Sequence, residues 1–332
     1  MADLTTKYLG LTLNNPIIVG SSGLTDSVEK IKELEKNGAG AVVLKSLFEE
    51  QIMMEAEHKL KMAEKDSFMY AEHSETFDYI DLHVKEKELN NYLDLISKAK
   101  KEVMIPVIAS VNCVTAHEWT TFARDIEKAG ADALELNIFI MPFNMKKNSK
   151  DIEKVYYDIV EKVCKEVSIP VSVKLSPYFA NLGKVIKTLT KKGARGVVLF
   201  NRFASPDIDI ESMKVITANI FSTPGEMYNS LRWIAILGKR AKCDLAASTG
   251  IHDGEAVIKQ ILAGANAVQV ASAIYKHGPE YIIEMKKQLD AWMDKKGILY
   301  IDSFKGKLSQ EKSENPEVFE RIQFMKYFSE IK

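Results

Sequence analysis

The residues able to do chemistry in this chain recur at one kind of place, the last positions of short apolar runs. Ser21-Ser22-Gly23 close the first run, Lys45-Ser46 the second and Asn112 the third. Asn137 ends the fourth, Lys174 the fifth, Asn201-Arg202 the sixth, Ser248-Thr249-Gly250 the seventh and Ala271-Ser272 the eighth. Small hydroxyls, amides and two lysines gathered on one face suit hydrogen bonding to a single large polar ligand. A lysine at the end of an apolar strand is costly to bury unless it meets an anion or a polarised ligand. Two chemistries answer that description. Lys174 could form a Schiff base, as an aldolase would use. Alternatively, Lys174 and Lys45 could stabilise negative charge on a reduced flavin ring. The density of amide-bonding groups favours the flavin.

The last two runs add a phosphate signature. Ser248-Thr249-Gly250 lead into a helix starting near Asp253, and Ala271-Ser272 follow the eighth run. Loops after strands seven and eight of a barrel commonly hold phosphate, and Gly250 permits close backbone approach. A phosphorylated, amide-rich ligand such as FMN fits both ends. No cluster of Asp, Glu, His and Cys with metal-ligand spacing lies on this ring, so no metal is expected. Paired carboxylates of the glycosidase kind are missing too. The six histidines fall mostly in helices or at helix starts and read as surface residues.

The elements that must position these residues alternate regularly. Apolar strands Pro16–Ser21, Ala41–Ser46, Pro106–Val111, Ala133–Ile138, Pro170–Leu175, Gly196–Asn201, Asp244–Thr249 and Ala267–Ser272 are separated by amphipathic helices. Val28, Ile31 and Leu34 follow a Ser27 cap, and Trp119, Phe122 and Ile126 follow a Thr115 cap. Eight strand–helix units in order predict an α/β fold, a single (β/α)8 TIM barrel. A doubly wound sheet is the rival, but neither a GxGxxG fingerprint after strand one nor a P-loop supports it. Lys7–Leu13 reads as a small N-terminal hairpin around Gly10, capping the lower end of the barrel. A long insertion after strand 2, from about 47 to 85, opens with a charged, Met-rich helical run and reads as a lid or pocket wall. A charged helical tail covers about 304–332, and residues 1–332 read as one domain.

Composition bounds the rest. The 332 residues include 45 basic and 46 acidic ones, for a net charge of −1. That removes the electrostatic case for a nucleic-acid partner or a polybasic membrane contact. Three dispersed cysteines, Cys113, Cys164 and Cys243, argue against a disulfide framework or a bound iron–sulfur centre. No apolar leader or bilayer-length segment is visible, so a cytoplasmic protein without a membrane partner is expected. A homodimer is expected.

The motifs Ala41-Val-Val-Leu-Lys-Ser46, Glu135-Leu-Asn137, Val173-Lys-Leu-Ser-Pro-Tyr178 and Gly264-Ala-Asn-Ala-Val-Gln269, together with Ile301-Asp-Ser-Phe-Lys-Gly-Lys-Leu308, carry a likeness. Over nearly its whole length the chain resembles the dihydroorotate dehydrogenase family, in particular its soluble FMN-containing branch. The resemblance implies a flavin lined by Ser21, Ser22 and Gly23, with Lys45 and Ser46 at its ring. Asn112 and Asn137 would meet the ring edge and ribityl region, and Lys174 the pyrimidine end. Asn201 would stand between flavin and substrate, while Thr249, Gly250, Ala271 and Ser272 would hold the phosphate. Asn144, Asn201 and Arg202 would bind an anionic substrate, the guanidinium clamping its carboxylate.

The chain departs from the family on the substrate side. There an Asn-x-Ser-(Cys or Ser)-Pro-Asn motif supplies the base, whereas this chain reads Asn137-Ile-Phe-Ile-Met-Pro-Phe-Asn144. The base position holds Ile140, or Met141 with another gap placement, and neither accepts a proton. The family's Asn-x-x-Gly-Leu-Pro-Asn segment is absent, and Thr249 stands where a glycine is usual. The base would come instead from Tyr79, His73, His83 or Cys113, or the hydride donor differs from dihydroorotate. The expected function is FMN-dependent oxidation of a dihydropyrimidine-like CH–CH group. The alternatives are a non-catalytic or electron-relay flavoprotein subunit and a Schiff-base aldolase using Lys174.

Overall fold

The computed structural model of the chain describes residues 2–50, 54, 74–113, 116–203 and 205–320. It opens with a hairpin of β1 (Thr6–Tyr8) and β2 (Leu11–Leu13), whose register pairs Tyr8 with Leu11. Leu9 and Gly10 turn it with φ of 56° and 78°, the double left-handed turn that matches strand twist. The barrel follows, made of β3 (Ile17–Val19), β4 (Ala41–Val43), β6 (Val107–Asn112), β7 (Ala133–Asn137), β8 (Val171–Leu175), β9 (Gly196–Leu199), β12 (Asp244–Ser248) and β13 (Ala267–Val270). Every neighbouring pair is parallel, and β13 pairs with β3, so the sheet closes on itself as the eight-unit reading predicts.

Strand residues bury both ways. Outward-facing Val42, Leu134, Val173, Val197 and Val268 meet the helices in the main core. Inward-facing Ile18, Ala41, Val43, Ile108, Ala133, Val198, Ala246 and Ala267 form a second core, plugged from below by Tyr8, Leu9 and Leu13. The small residues there leave room for the plug, and Asp244 Oδ2 accepts from Leu9 N at 2.7 Å to hold it. The helices are built as their patterns dictate. Helix α1 (Val28–Lys36) is capped by Ser27 and buries Ile31 and Leu34. Helix α4 (Ser149–Glu166) starts on an Asn148–Asp151 capping box and buries Tyr156, Ile159, Val160 and Val163. Trp119, Phe122 and Ile126 are buried on α3 (Ala116–Lys128), while the expected Thr115 cap lies outside the described residues.

Strand two is broken. After β4 the chain leaves the ladder and rejoins β6 as β5 (Leu47–Phe48). Val43 faces Ile108 and Leu47 faces Val111, so three residues oppose two and the strand carries a bulge. The bulge leaves Lys45 exposed and the main-chain N–H and C=O of Ser110 without strand-two partners. Tyr92, on α2 (Ser74–Glu102), supplies them: its hydroxyl accepts from Ser110 N at 2.8 Å and donates to Ser110 O at 3.0 Å. Tyr92→Phe should therefore strand both groups of a fully buried residue and destabilise the fold by about 2–3 kcal/mol. A thermal-unfolding midpoint unchanged by that substitution would refute this.

Three segments differ from the sequence reading. Helix α2 already begins at Ser74, inside the span read as the insertion after strand 2. A surface hairpin that the sequence pattern misses follows β9, with β10 (Pro206–Asp209) antiparallel to β11 (Lys214–Thr217). Nearly all its side chains are exposed, so no inside-outside alternation marks it. The region read as a charged helical tail begins instead as packed, irregular chain. Phe304 is fully buried against Trp292, and Gly306 N and Leu308 N bond to Ile261 O and Leu262 O. Helix α10 (Glu317–Glu320) follows only later.

Candidate functional site

Above the small-residue floor, the inward positions of the barrel turn polar. Ser110, Glu135, Ser172, Lys174 and Gln269 are all buried. Strand period 2 puts them there, since each is two residues above an inward-facing position or registers beside one. A TIM-barrel interior is ordinarily filled by branched apolar side chains, so a polar layer needs partners. Lys174 Nζ donates to Gln269 Oε1 at 2.8 Å, and Gln269 Nε2 donates to Glu135 Oε2 at 2.5 Å. Glu135 Oε1 lies 3.7 Å from Lys174 Nζ and accepts no hydrogen bond. Beside this array the hydroxyls of Ser21, Ser46 and Ser110 form a chain with steps of 3.0 and 2.7 Å.

A cavity opens on this layer at the C-terminal ends of the strands. Gly20, Ser21, Lys174 and Gln269 line its base. Thr249, Gly250, Ala271 and Ser272 line its far end, and Ile220–Ser222 with Tyr275 overhang it. Thr249 and Gly250 turn successively with φ of 76° and 75°. A β-branched residue in that region is a strained outlier, of the kind that concentrates at binding sites. Helix α8 (Ser272–His277) is only six residues long, so hydroxyls and loop backbone, not a long helix dipole, characterise this end.

The structure brings most of the strand-end residues together. Ser21, Lys174, Asn201, Arg202, Thr249, Gly250, Ala271 and Ser272 share the cavity wall. Ser22 bonds its own turn through Gly20 O, and Gly23 sits against the Tyr275 hydroxyl. Ser46 is buried in the hydroxyl chain, and Asn112 ends β6 half-buried. Asn137, at the end of β7, accepts from Asn201 Nδ2 in a short amide pair. Lys45 is exposed on the same face. Asn144 lies on an exposed loop, where its side chain accepts from Lys146 N. Ile140 is half-buried, its N–H donating to Tyr156 Oη, and Met141 is exposed. Cys113 is buried, whereas His73 lies outside the described residues and nothing is described of the Tyr79 and His83 side chains.

Arg202 is occupied differently from the carboxylate clamp read from the sequence. Its Nε donates to Glu226 Oε2 at 2.9 Å. Its terminal nitrogens donate to the carbonyls of Ile220, Asn219 and Phe221 at 2.6, 2.8 and 3.2 Å. The guanidinium thus staples the overhanging segment to the start of α6 (Met227–Leu237). Strand-end position revealed the cation but not this loop, which is distant in sequence.

Two further features escape sequence reasoning. Phe139 and Phe203, each two residues beyond a member of the amide pair, stack with ring centroids 3.6 Å apart. The second is His252, which is not a plain surface histidine. Its Nε2 lies 3.0 Å from Ser222 Oγ, Ser222 N donates to Ser272 Oγ, and Lys276 Nζ donates to Ser222 O. Burial, with the Lys276 ammonium second, holds the imidazole below its usual range, against weaker upward pulls from a Ser222 hydrogen bond, Asp253 and Glu226. As pH falls below about 6.5 the unfolded chain takes up this proton first, so acidification opposes the folded arrangement. Hydrogen exchange across residues 219–223, corrected for intrinsic rate, should speed up on acidification and His252→Gln should flatten that dependence. Equal pH profiles for the two proteins would count against it.

Among the described residues no helix is long and apolar enough to cross a membrane, and no group of three His, Cys, Asp or Glu is placed to hold a metal ion. The family model described as Dihydroorotate dehydrogenase matches residues 3–293. Similar curated proteins carry the name dihydroorotate dehydrogenase B (NAD(+)), catalytic subunit. The one from Thermoplasma volcanium is 30% identical, covering 92% of this chain and 98% of its own length. That from Staphylococcus carnosus is 28% identical with the same coverage of both chains. That from Methanocaldococcus jannaschii is 27% identical over 83% of this chain and 88% of its own.

Proposed function

Because the chain belongs to the dihydroorotate dehydrogenase family, we propose that its barrel holds FMN and takes hydride from a dihydropyrimidine-like CH–CH donor, dihydroorotate or a related anionic ring. One observation carries this reading: a buried ammonium, Lys174, opens into the same cavity that ends at Thr249, Gly250 and Ser272. A charged group at one end and a small-residue, hydroxyl-bearing cradle at the other suit a ring joined to a phosphate. Thr249, Gly250, Ala271 and Ser272 would hold the phosphate, and Ser21, Ser22 and Gly23 would line the flavin. Lys45, Ser46, Asn112, Asn137 and Lys174 would surround the ring. Bound FMN supplies a reversible hydride acceptor.

The chain's own residues supply binding, orientation and shielding. The Asn137–Asn201 amide pair faces the hydride donor, and Asn144 reaches it from its loop. Arg202 acts by holding residues 219–221 over the cavity. The proton leaves to a group other than residue 140, where the side chain is isoleucine.

The test is an absorbance spectrum followed by anaerobic titration. Purified protein should show flavin absorbance and be bleached by dihydroorotate or its carboxylate-free analogue dihydrouracil. A yellow protein that neither donor reduces would support the second reading, an electron-relay flavoprotein subunit. That reading draws on Ile140 and on the words "catalytic subunit" in the relatives' names, which imply a further subunit. Colourless protein trapped by borohydride at Lys174 would instead favour the aldolase. The homodimer belongs to this proposal, with the β10–β11 hairpin as its surface. Ile208, Ile210, Met213 and Val215 are exposed there together, and apolar patches of that kind mark interaction sites. Sedimentation at equilibrium distinguishes monomer from dimer.

A further inference from the structure

We propose that Glu135 is a positioning residue that sets the electrostatic field beneath the flavin by fixing Gln269 and, through it, Lys174. This rests on the FMN reading above and concerns residues below the ring, none of which touches the substrate.

The donor and acceptor inventory leaves one arrangement. An ammonium only donates and a carboxylate only accepts, so an amide between them has its orientation dictated. Gln269 must turn Oε1 to Lys174 and Nε2 to Glu135, as it does at 2.8 and 2.5 Å. With Glu135 replaced by a neutral side chain, Gln269 Nε2 loses its charged acceptor and Lys174 alone sets the amide's orientation. Glu135 is 1% exposed, and its second oxygen is unpartnered 3.7 Å from Lys174 Nζ. A bare carboxylate lone pair at that depth is expensive, and the apolar floor beneath it shows that the barrel can pack without one. Its effect on the cavity is to offset part of the Lys174 charge. Reduction places negative charge near the pyrimidine end of a flavin, so a partly neutralised ammonium favours reduction less than a free one.

Opposite shifts follow from two substitutions. Glu135→Gln removes the offsetting charge and should favour the reduced flavin. Gln269→Met removes the amide that bridges Lys174 and Glu135, lets their 3.7 Å ion pair close to hydrogen-bond distance, and should disfavour it. The measurement is a spectroscopic redox titration of each holoprotein, with FMN content determined alongside. The expected change is about tenfold or more in the reduced-to-oxidised equilibrium, or about 30 mV for a two-electron couple, upward for Glu135→Gln and downward for Gln269→Met. If Glu135→Gln does not fold, the downward shift of Gln269→Met decides alone. A merely structural role would loosen FMN in both proteins and move both potentials the same way or not at all. Either result overturns the proposal while leaving the FMN reading intact. A wild-type protein that takes up no FMN overturns both.

Discussion

Lys174→Met should destabilise the flavin-free protein by about 3–5 kcal/mol, the range for removing one partner of a buried ion pair. Methionine nearly matches the length of the lysine stem, so packing on β8 is retained and the loss is that of the charge. What remains is Glu135, 1% exposed, with a single amide donor from Gln269 and an oxygen that accepts no hydrogen bond. Lys174 is itself 8% exposed, so solvent screens the pair weakly. The double variant Lys174→Met, Glu135→Gln should recover most of the loss, because neutral replacement of a buried pair is often tolerated. Urea unfolding of the four proteins in the double-mutant cycle measures this. If the double variant is as unstable as the sum of the singles, the two side chains are independent and the polar layer is not an electrostatic unit.

The lower half of the site was legible because strand geometry is periodic. Once Ala133–Asn137 and Val171–Leu175 are taken as barrel strands, alternation alone places Asn137 and Lys174 at the same end. Glu135 was visible only as part of a motif. Alternation sets it one inward step below Asn137, but its contact with Gln269 follows from the closure of β13 onto β3, and such a contact has no local signature. The strand-two bulge was hidden for a related reason. Ala41–Ser46 reads as one apolar run, and only the ladder to β6 shows the extra residue. The upper half is built by loops. The hairpin at 206–217 lacks an alternating pattern because both of its faces meet solvent, and its turn uses Met213 at φ 50° instead of a glycine.

That division has a chemical counterpart. The strand-end residues that line the cavity are fixed by the barrel, while the departures from the family's motif, Phe139 and Ile140, lie just past the end of β7. Phe139 found its partner Phe203 across the end of β8, between strands that are not adjacent. A barrel can therefore keep one ligand's cradle while its loops are rebuilt for another.

Gly250→Val should abolish the cradle. The residue turns at φ 75°, a region that costs a β-branched side chain about 1–3 kcal/mol. A Cβ there would also run into the main chain at the start of α6, lying 2.8 Å from Met227 Cα and 2.9 Å from the Glu226 carbonyl carbon. Backbone cannot rotate aside as a side chain can, so overpacking adds about 1–3 kcal/mol. The displacement would reach further than its own turn. Glu226 anchors Arg202, and Arg202 holds the carbonyls of Asn219, Ile220 and Phe221, the last two from cavity-lining residues. Shifting α6 should release that segment, so bound flavin should be lost more completely than stability. Gly225→Ala is the matched control, since a Cβ there meets only Thr223 Oγ1, at 4.0 Å. Flavin content and melting temperature for both variants decide the matter. A Gly250→Val protein that keeps its flavin would show that the 249–250 turn is not part of the ligand site.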